Sequence, residues 1–266
     1  MASDPFDGDN LMPNPTLELI HHHASVRQYK PDPVPVAIVN TIVAAAQHAS
    51  TSSALQAYSI VAVTEAARRD KLAELCGNQD HIRQAPVFLT WCADLSRLEH
   101  ICTIRGYSIT AEYTENFLVA AFDAILASQN AALAAESLGL GICYIGSIRR
   151  NPQEVIDLLG LPRLVFPVVG MTVGWPSQDN QLRPRLPLEL VLHWEQYDTT
   201  PRDELLRVYD QVMISTGIYE DRKVPIPGRK AEIESVGWLE QSARRVSKAD
   251  RTGLRNAIKM QGFALK

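Results

Sequence analysis

The sequence has little of what marks several common classes of protein. Its 266 residues include four cysteines, which lack the CxxC spacing of a zinc site or a redox motif. They lie mostly among apolar residues, which predicts reduced, buried thiols at Cys76, Cys92, Cys102 and Cys143. Positive charge is also scarce: the net charge is −4, whereas nucleic-acid binding normally needs a basic face that displaces counterions. We therefore expect neither a disulfide framework nor a nucleic-acid partner.

The sequence also lacks recognisable targeting signals and repeats. Residues 1–14 are polar and acidic, with no basic stretch followed by an apolar core and no lipidation motif, which predicts a cytoplasmic protein. The chain shows no internal repeat and no low-complexity tract. The composition is typical of a globular protein, with 46% hydrophobic and 21% charged residues. A chain of this length and composition can form the core of one or one and a half domains.

Helical and strand patterns alternate along the chain, which predicts an α/β or α+β protein. Pro15 and Pro35 open two helices, and the second carries an apolar stripe from Ile38 to Ala49. Four buried strands are predicted at 58–64, 86–93, 142–146 and 164–175. Further helices are predicted at 65–76, 112–138, 152–159, 202–214 and 249–260, with a loop at 222–230.

The helix at 112–138 is the longest predicted element, and Asp123 is its only charge between Phe117 and Ala135. Apolar or small residues on every face predict burial all round, either in a large core or against a second subunit. A membrane span is the rival interpretation. It is not favoured, because Asp123 and the polar residues 128–130 would be costly in lipid.

Two short polar segments follow predicted helices at the points where those helices end. They are His23–Arg27 (HASVR) and Ser50–Gln56 (STSSALQ). Hydroxyl groups and a fork-shaped guanidinium can bind a phosphate and a polar ring edge, which indicates a cofactor site. Plainer interpretations remain: Arg27 as a surface ion-pair partner, and the hydroxyls as a helix cap or polar turn. His21–His23 cannot converge on a metal, since successive helix positions point about 100° apart, and we predict no metal site.

Several motifs in order resemble the oxygen-insensitive NADPH nitroreductase and flavin reductase family (group A). They are HxSVR, ASTSSxLQ, GxQxH followed by QAP and a WCAD strand, ESLGLGxxYIGxxR, GWP and RPRLP, between about Pro15 and Gln196. The resemblance implies an α+β fold with a mixed central β-sheet flanked by helices, and an intertwined homodimer. It also implies FMN bound without a covalent bond at the dimer interface, with NADPH as the electron donor.

The resemblance also implies which residues of this chain contact FMN. The family's contacts fall on His23, Ala24, Ser25, Arg27, Thr51, Ser53, Gln56, Gln79, Tyr144, Ile145, Gly146, Ser147, Arg183 and Arg185, and with less support on His81. The basic residues match the phosphate end, and Tyr144–Ser147 matches the reactive edge of the ring. Three positions depart from the family: Ala24 where arginine is frequent, Arg183 where lysine is frequent, and Ser147 where glycine is frequent.

Because FMN carries the hydride chemistry, no catalytic nucleophile or base is predicted. Backbone amides near Ile145 and Gly146, together with Gln56, can stabilise negative charge on the reduced ring. In the basic loop DRKVPIPGRK, Arg222 and Arg229 are predicted to bind the 2′-phosphate of NADPH. A solvated loop is an equally good interpretation of those cations.

The function implied is an FMN-dependent NAD(P)H oxidoreductase with a ping-pong cycle: hydride passes from NADPH to FMN, and nitroaromatics, quinones or related small-molecule acceptors then take the electrons. The alternatives are an NADPH-dependent flavin reductase and a flavin-binding protein without catalysis. The predicted organisation is a flexible N-terminus at 1–14, an FMN-binding core at 15–200 and a C-terminal extension at 201–266.

Overall fold

The structure is a computed structural model that describes the backbone of residues 14–219, 223–226 and 229–266. Side chains are described for residues 14–219 and 236–266. The helices are Pro15–His21 (α1), Val36–Ala46 (α2), Ala66–Leu75 (α3), Asp80–Gln84 (α4), Ser96–Arg105 (α5), Thr114–Ser137 (α6), Pro152–Leu159 (α7), Asp203–Ser215 (α8), Trp238–Val246 (α9) and Leu254–Met260 (α10). The strands are Tyr58–Val63 (β1), Val87–Asp94 (β2), Gly141–Ile145 (β3), Val165–Gly174 (β4), Lys223–Ile226 (β5) and Arg229–Ser235 (β6).

Strands β1 to β4 form one sheet in the order β1-β2-β4-β3. Every neighbouring pair is antiparallel, with Tyr58 opposite Ala93 and Gly141 opposite Gly174. The α+β class is confirmed, but the sheet in the described residues is antiparallel where a mixed one was expected. The two inner strands, β2 and β4, are buried along nearly their whole length, which explains their continuous apolar sequences.

Alternate residues of β2 pack into different parts of the core. Leu89 and Trp91 belong to the apolar cluster that contains α2 and the alanines of α6, whereas Phe88 belongs to the cluster that contains α3 and α4. Gly170 of β4 makes room for the Phe88 ring, because a Cβ there would lie 2.4 Å from the ring. The sheet is therefore covered on both faces, and α6 is the main helix on one of them.

Within the single chain α6 is not buried on every face, so of the two expectations burial in a large core is wrong and burial against a second subunit stays a prediction. Its alanines face the core, but the opposite face is apolar and exposed, with Phe122 59% accessible. The helical repeat of 3.6 residues collects the large exposed side chains into one stripe, made of Leu118, Phe122, Ile125 and Leu126. By length and composition α6 is apolar enough to cross a membrane, and 39% of its most apolar window is buried.

Three helices and a hairpin were not predicted from the sequence. Helices α4, α5 and α9 have 5, 10 and 9 residues, and much of each sequence is polar or charged. The loop predicted at 222–230 is wrong in part, because β5 and β6 pair there as antiparallel strands. Backbone pairing satisfies the hydrogen-bonding groups of such a segment without any apolar periodicity. Arg222 lies outside the described residues.

The chain divides into two compact units. The larger comprises Pro15–Asn180 and the terminal segment Arg251–Lys266, and the buried ring of Phe263 packs edge-on against Phe117 of α6 at 5.1 Å within it. The second includes Gln181–Asp250, in which α8 and α9 pack together. There, the Asp210 carboxylate accepts a hydrogen bond of 2.8 Å from the Leu239 backbone amide.

Candidate functional site

The His23–Arg27 segment is held by two distant elements of the larger unit. His23 Nδ1 lies 2.6 Å from Glu136 Oε1 at the end of α6. The Val26 amide donates a 2.8 Å hydrogen bond to the Ile142 carbonyl of β3, and a Cβ on Gly141 would come within 2.3 Å of the Val26 side chain. The glycine therefore permits a close approach that fixes the segment beside the sheet.

The hydroxyl turn, Thr51–Gln56, has an unusual backbone. Ser53, Ala54 and Gln56 have φ angles of 50°, 55° and 51°, in the left-handed region that residues with a Cβ rarely adopt. Their side chains are exposed, and Thr51 is half-buried. The turn thus presents hydroxyl and amide groups to solvent from a backbone that its surroundings must hold in place.

Gln79 and Ser147 meet although 68 residues separate them in sequence. Gln79 precedes α4, and its side-chain amide donates to Ser147 Oγ at 2.5 Å and to the Cys76 carbonyl at 2.6 Å. Burial raises the pKa of the Cys76 thiol to about 12, against the opposing effect of a hydrogen bond with Ser147. Ser147 therefore orients the side chain of Gln79, a predicted flavin contact.

His81 carries a buried polar atom that is unsatisfied. Its Nε2 has no hydrogen-bond partner among the described residues. Burial lowers the pKa of His81, the nearby positive charge of Arg27 lowers it further, and Asp80 acts in the opposite direction. A neutral imidazole with an unpaired ring nitrogen, close to an exposed guanidinium, fits a polar ligand atom.

Tyr144 joins the end of β3 to α6. Its hydroxyl lies 3.2 Å from Ser128 Oγ and donates to Gln129 Oε1 at 3.4 Å. Burial raises the pKa of Tyr144 to about 12, so its hydroxyl stays protonated at neutral pH. Sequence reasoning missed the supporting residues on α6, although the isolated charge of Asp123 was a visible signal of one of them.

Arg183 and Arg185 belong to the second unit. Both line a pocket of about 550 Å³ together with Tyr209, Met213 and Trp238. Arg185 donates a 2.9 Å hydrogen bond to the Arg183 carbonyl, and Tyr209 donates to the carbonyl of the proline between them. These contacts organise a short basic segment whose cations remain exposed.

The arrangement in the larger unit fits a ligand with an anionic end and a polar ring edge. Arg27 supplies a cation, the hydroxyl turn supplies donors, and His81 supplies an unpaired buried nitrogen. Helix α6 supports three of the predicted segments, through Glu136, Asp123 and Ser128. Segments that are far apart in sequence are thereby held by one rigid element.

The chain belongs to the nitroreductase family. The family profile matches residues 20–175, and the profile of its C-terminal domain matches residues 183–266. This confirms the resemblance carried by the ordered motifs.

Similar proteins cover nearly the whole chain. A Cr(VI) reductase of Pseudomonas sp. (strain G-1) is 36% identical over 94% of this chain and 99% of its own length. The oxygen-insensitive NADPH nitroreductase of Salmonella typhimurium is 37% identical over 95% of this chain and 100% of its own. The structure of NfrA2 from B. megaterium superimposes with a TM-score of 0.88 at 35% identity, covering 96% and 100% of the two chains.

Proposed function

We propose that this chain is an FMN-dependent NAD(P)H oxidoreductase that reduces small-molecule acceptors such as nitroaromatics and quinones. One observation carries the proposal: α6 supports three separate segments that match the family's flavin contacts. Among the relatives are an NADPH nitroreductase and an FMN reductase, so the sequence-based prediction of enzyme class and cofactors is confirmed at the level of the family.

The predicted contacts would each bind a different part of FMN. The flavin supplies hydride transfer when bound. Arg27 would bind the phosphate by charge, with Ser25 and His23 beside Ala24. For Arg183 and Arg185, a phosphate contact rests on the family resemblance alone. The hydroxyl turn binds polar groups through Thr51, Ser53 and Gln56, and Gln79 contributes its amide. The backbone from Tyr144 through Ile145 and Gly146 to Ser147 faces the reactive edge.

The acceptor is the least constrained part of the proposal. Relatives of similar identity are named Cr(VI) reductase, NADPH nitroreductase and FMN reductase, which are reductases of chemically unlike acceptors. A reductase of free FMN is therefore the second candidate, and release of reduced flavin during turnover distinguishes it. The third, a flavin-binding protein without catalysis, predicts FMN binding with no oxidation of NADPH.

Preference for NADPH is proposed to depend on Arg222 and Arg229. Two cations suit the 2′-phosphate that distinguishes NADPH from NADH. The double substitution Arg222→Ala, Arg229→Ala should raise the KM for NADPH and leave the KM for NADH unchanged. An unchanged KM for NADPH would contradict the proposal.

We further propose a cytoplasmic homodimer. The exposed stripe Leu118, Phe122, Ile125 and Leu126 is continuous on α6, and such a stripe favours a protein contact. Association of two copies would remove it from water, and the same helix supports the predicted flavin contacts. Sedimentation should find a dimer at micromolar concentration.

An anaerobic absorbance titration tests the proposed function. Purified protein incubated with FMN should absorb in the blue, bleach when NADPH is added, and regain its colour with a nitroaromatic or a quinone. Absence of bound flavin would overturn the cofactor assignment. Bound flavin that NADPH never bleaches would instead favour the non-catalytic alternative.

A further inference from the structure

The strongest unassigned feature is a buried carboxylate on the face of α6 that meets the hydroxyl turn. Asp123 is 1% exposed and lies between the buried alanines Ala120 and Ala124. A carboxylate in such surroundings is costly unless hydrogen bonds compensate its charge. The structure supplies them from the backbone of a single turn.

The two oxygens of Asp123 accept hydrogen bonds from backbone amides close to the two ends of that turn. The Ser52 amide donates to Oδ1 at 2.9 Å, and the Ala57 amide donates to Oδ2 at 3.0 Å. Hydrogen bonds to an ionised acceptor are stronger than those between neutral groups. One side chain on a rigid helix therefore fixes both ends of a six-residue segment.

The three residues with left-handed φ angles lie within the segment whose ends Asp123 binds. Ser53, Ala54 and Gln56 all fall between the amides that Asp123 accepts. Left-handed conformations of residues with a Cβ persist only where neighbouring structure imposes them. Ala57 is 1% exposed, so without the carboxylate its amide could not turn to water.

A second side chain secures the same end of the turn. Arg97 donates to the Gln56 carbonyl at 3.2 Å and to the Tyr58 carbonyl at 3.1 Å. The Ala57 amide, which follows the first of those carbonyls, is bound to Asp123. Donor and acceptor groups of the backbone are thus both occupied where the turn joins β1.

We infer that Asp123 is a positioning residue for FMN: its carboxylate holds Thr51, Ser53 and Gln56 in the arrangement that receives the flavin. The inference rests on the proposed function and adds a residue outside the predicted contacts. Because the turn is already ordered, flavin binding does not have to order it. Loss of the carboxylate should weaken flavin binding through a residue that need not touch it.

The test compares Asp123→Asn with Gln261→Ala. An asparagine keeps the size but presents an NH₂ group to one of the two amides, so one bond is lost. Gln261 is also buried and polar and donates to the Leu161 and Pro162 carbonyls, away from the predicted flavin contacts. It reports the effect of losing buried hydrogen bonds elsewhere in the same unit.

Two readouts separate positioning from general stability. FMN fluorescence titration should give a Kd about tenfold higher in Asp123→Asn, equivalent to about 1.4 kcal/mol, and an unchanged Kd in Gln261→Ala. Hydrogen exchange on the flavin-free protein should show faster exchange at Ser52 and Ala57 in Asp123→Asn alone. The visible circular dichroism of FMN bound at saturation should also change in that variant.

The possible negative results distinguish the positioning role of Asp123 from the proposed function. A wild-type Kd in Asp123→Asn, or an equal rise in Gln261→Ala, overturns the positioning role. A wild-type protein that binds no FMN overturns the proposed function. In that case the exchange rates of the two amides still decide whether the carboxylate holds the turn, and unchanged rates overturn that too.

Discussion

Single residues of the hydroxyl turn carry conformations that their side chains disfavour. Ala54 has a φ of 55° and an exposed side chain, so its methyl group gains little from packing. Only glycine adopts such a conformation without steric cost. The turn therefore holds strain at a place where the sequence motif, read alone, shows only small polar residues.

Ala54→Gly should stabilise the protein. Removing the Cβ relieves about 1–2 kcal/mol of left-handed strain, and the greater freedom of unfolded glycine offsets about half, for a net gain of about 0.5–1 kcal/mol. Urea denaturation measures it. The same substitution at exposed Ala44 inside α2 should instead cost about 0.5–1 kcal/mol. A loss at both positions would refute the argument from strain.

His81 makes the stability depend on pH. Burial and then Arg27 lower its pKa below the usual 6.5, so the unfolded chain binds more protons than the folded one between those two values. Its contribution to stability is full above pH 6.5 and is lost as the pH falls towards the folded pKa. We expect the unfolding free energy to fall as the pH drops below 6.5.

The variant His81→Gln should lack that part of the acid-induced loss, whereas His48→Gln, on an exposed side chain, should keep it. Denaturation curves above and below pH 6.5 measure the difference. Equal slopes in the wild type and His81→Gln would exclude the burial of His81 as the cause.

At the scale of elements, the two faces of α6 differ. Its alanine face packs on the sheet and carries Asp123, Ser128 and Glu136, which contact the predicted flavin segments. Its other face shows the apolar stripe to solvent. Packing on one face and the proposed contact with a second copy on the other would explain why the helix is apolar all round although only one face is buried within the chain.

Phe122→Glu should convert the proposed dimer into a monomer. A charge at the centre of the stripe would have to be desolvated without a partner when two copies associate. Sedimentation velocity measures the change, and Ala67→Glu, at an exposed position of α3, is the matched control that should remain dimeric. An unchanged dimer in Phe122→Glu would place the contact between copies elsewhere.

At the scale of the whole molecule, flavin should act as a stabilising ligand. A ligand that binds the folded state alone, at about a hundredfold excess over its Kd, raises the unfolding free energy by about 2.7 kcal/mol. Removing FMN should therefore lower the Tm. Riboflavin at the same concentration should stabilise less, because it lacks the phosphate assigned to Arg27. Equal Tm values with both ligands would argue against that phosphate contact.

Most of the larger unit could be predicted from local sequence. Apolar periodicity located the four strands and α6, because a strand or a long helix repeats its pattern over many residues. Short polar helices such as α5 and the hairpin of β5 and β6 have no comparable signal. The ordered motifs gave the family, which profiles over residues 20–175 and 183–266 confirm.

The sequence by itself determined the family, the main elements and the residue types available for binding, because motifs and periodic patterns involve residues that are close together in the sequence. Only the tertiary structure decided which of them meet. Gln79 reaches Ser147 across 68 residues, and Asp123 reaches Ser52 across 71. It also decided the left-handed angles of Ser53, Ala54 and Gln56, since such conformations depend on what the surrounding chain imposes.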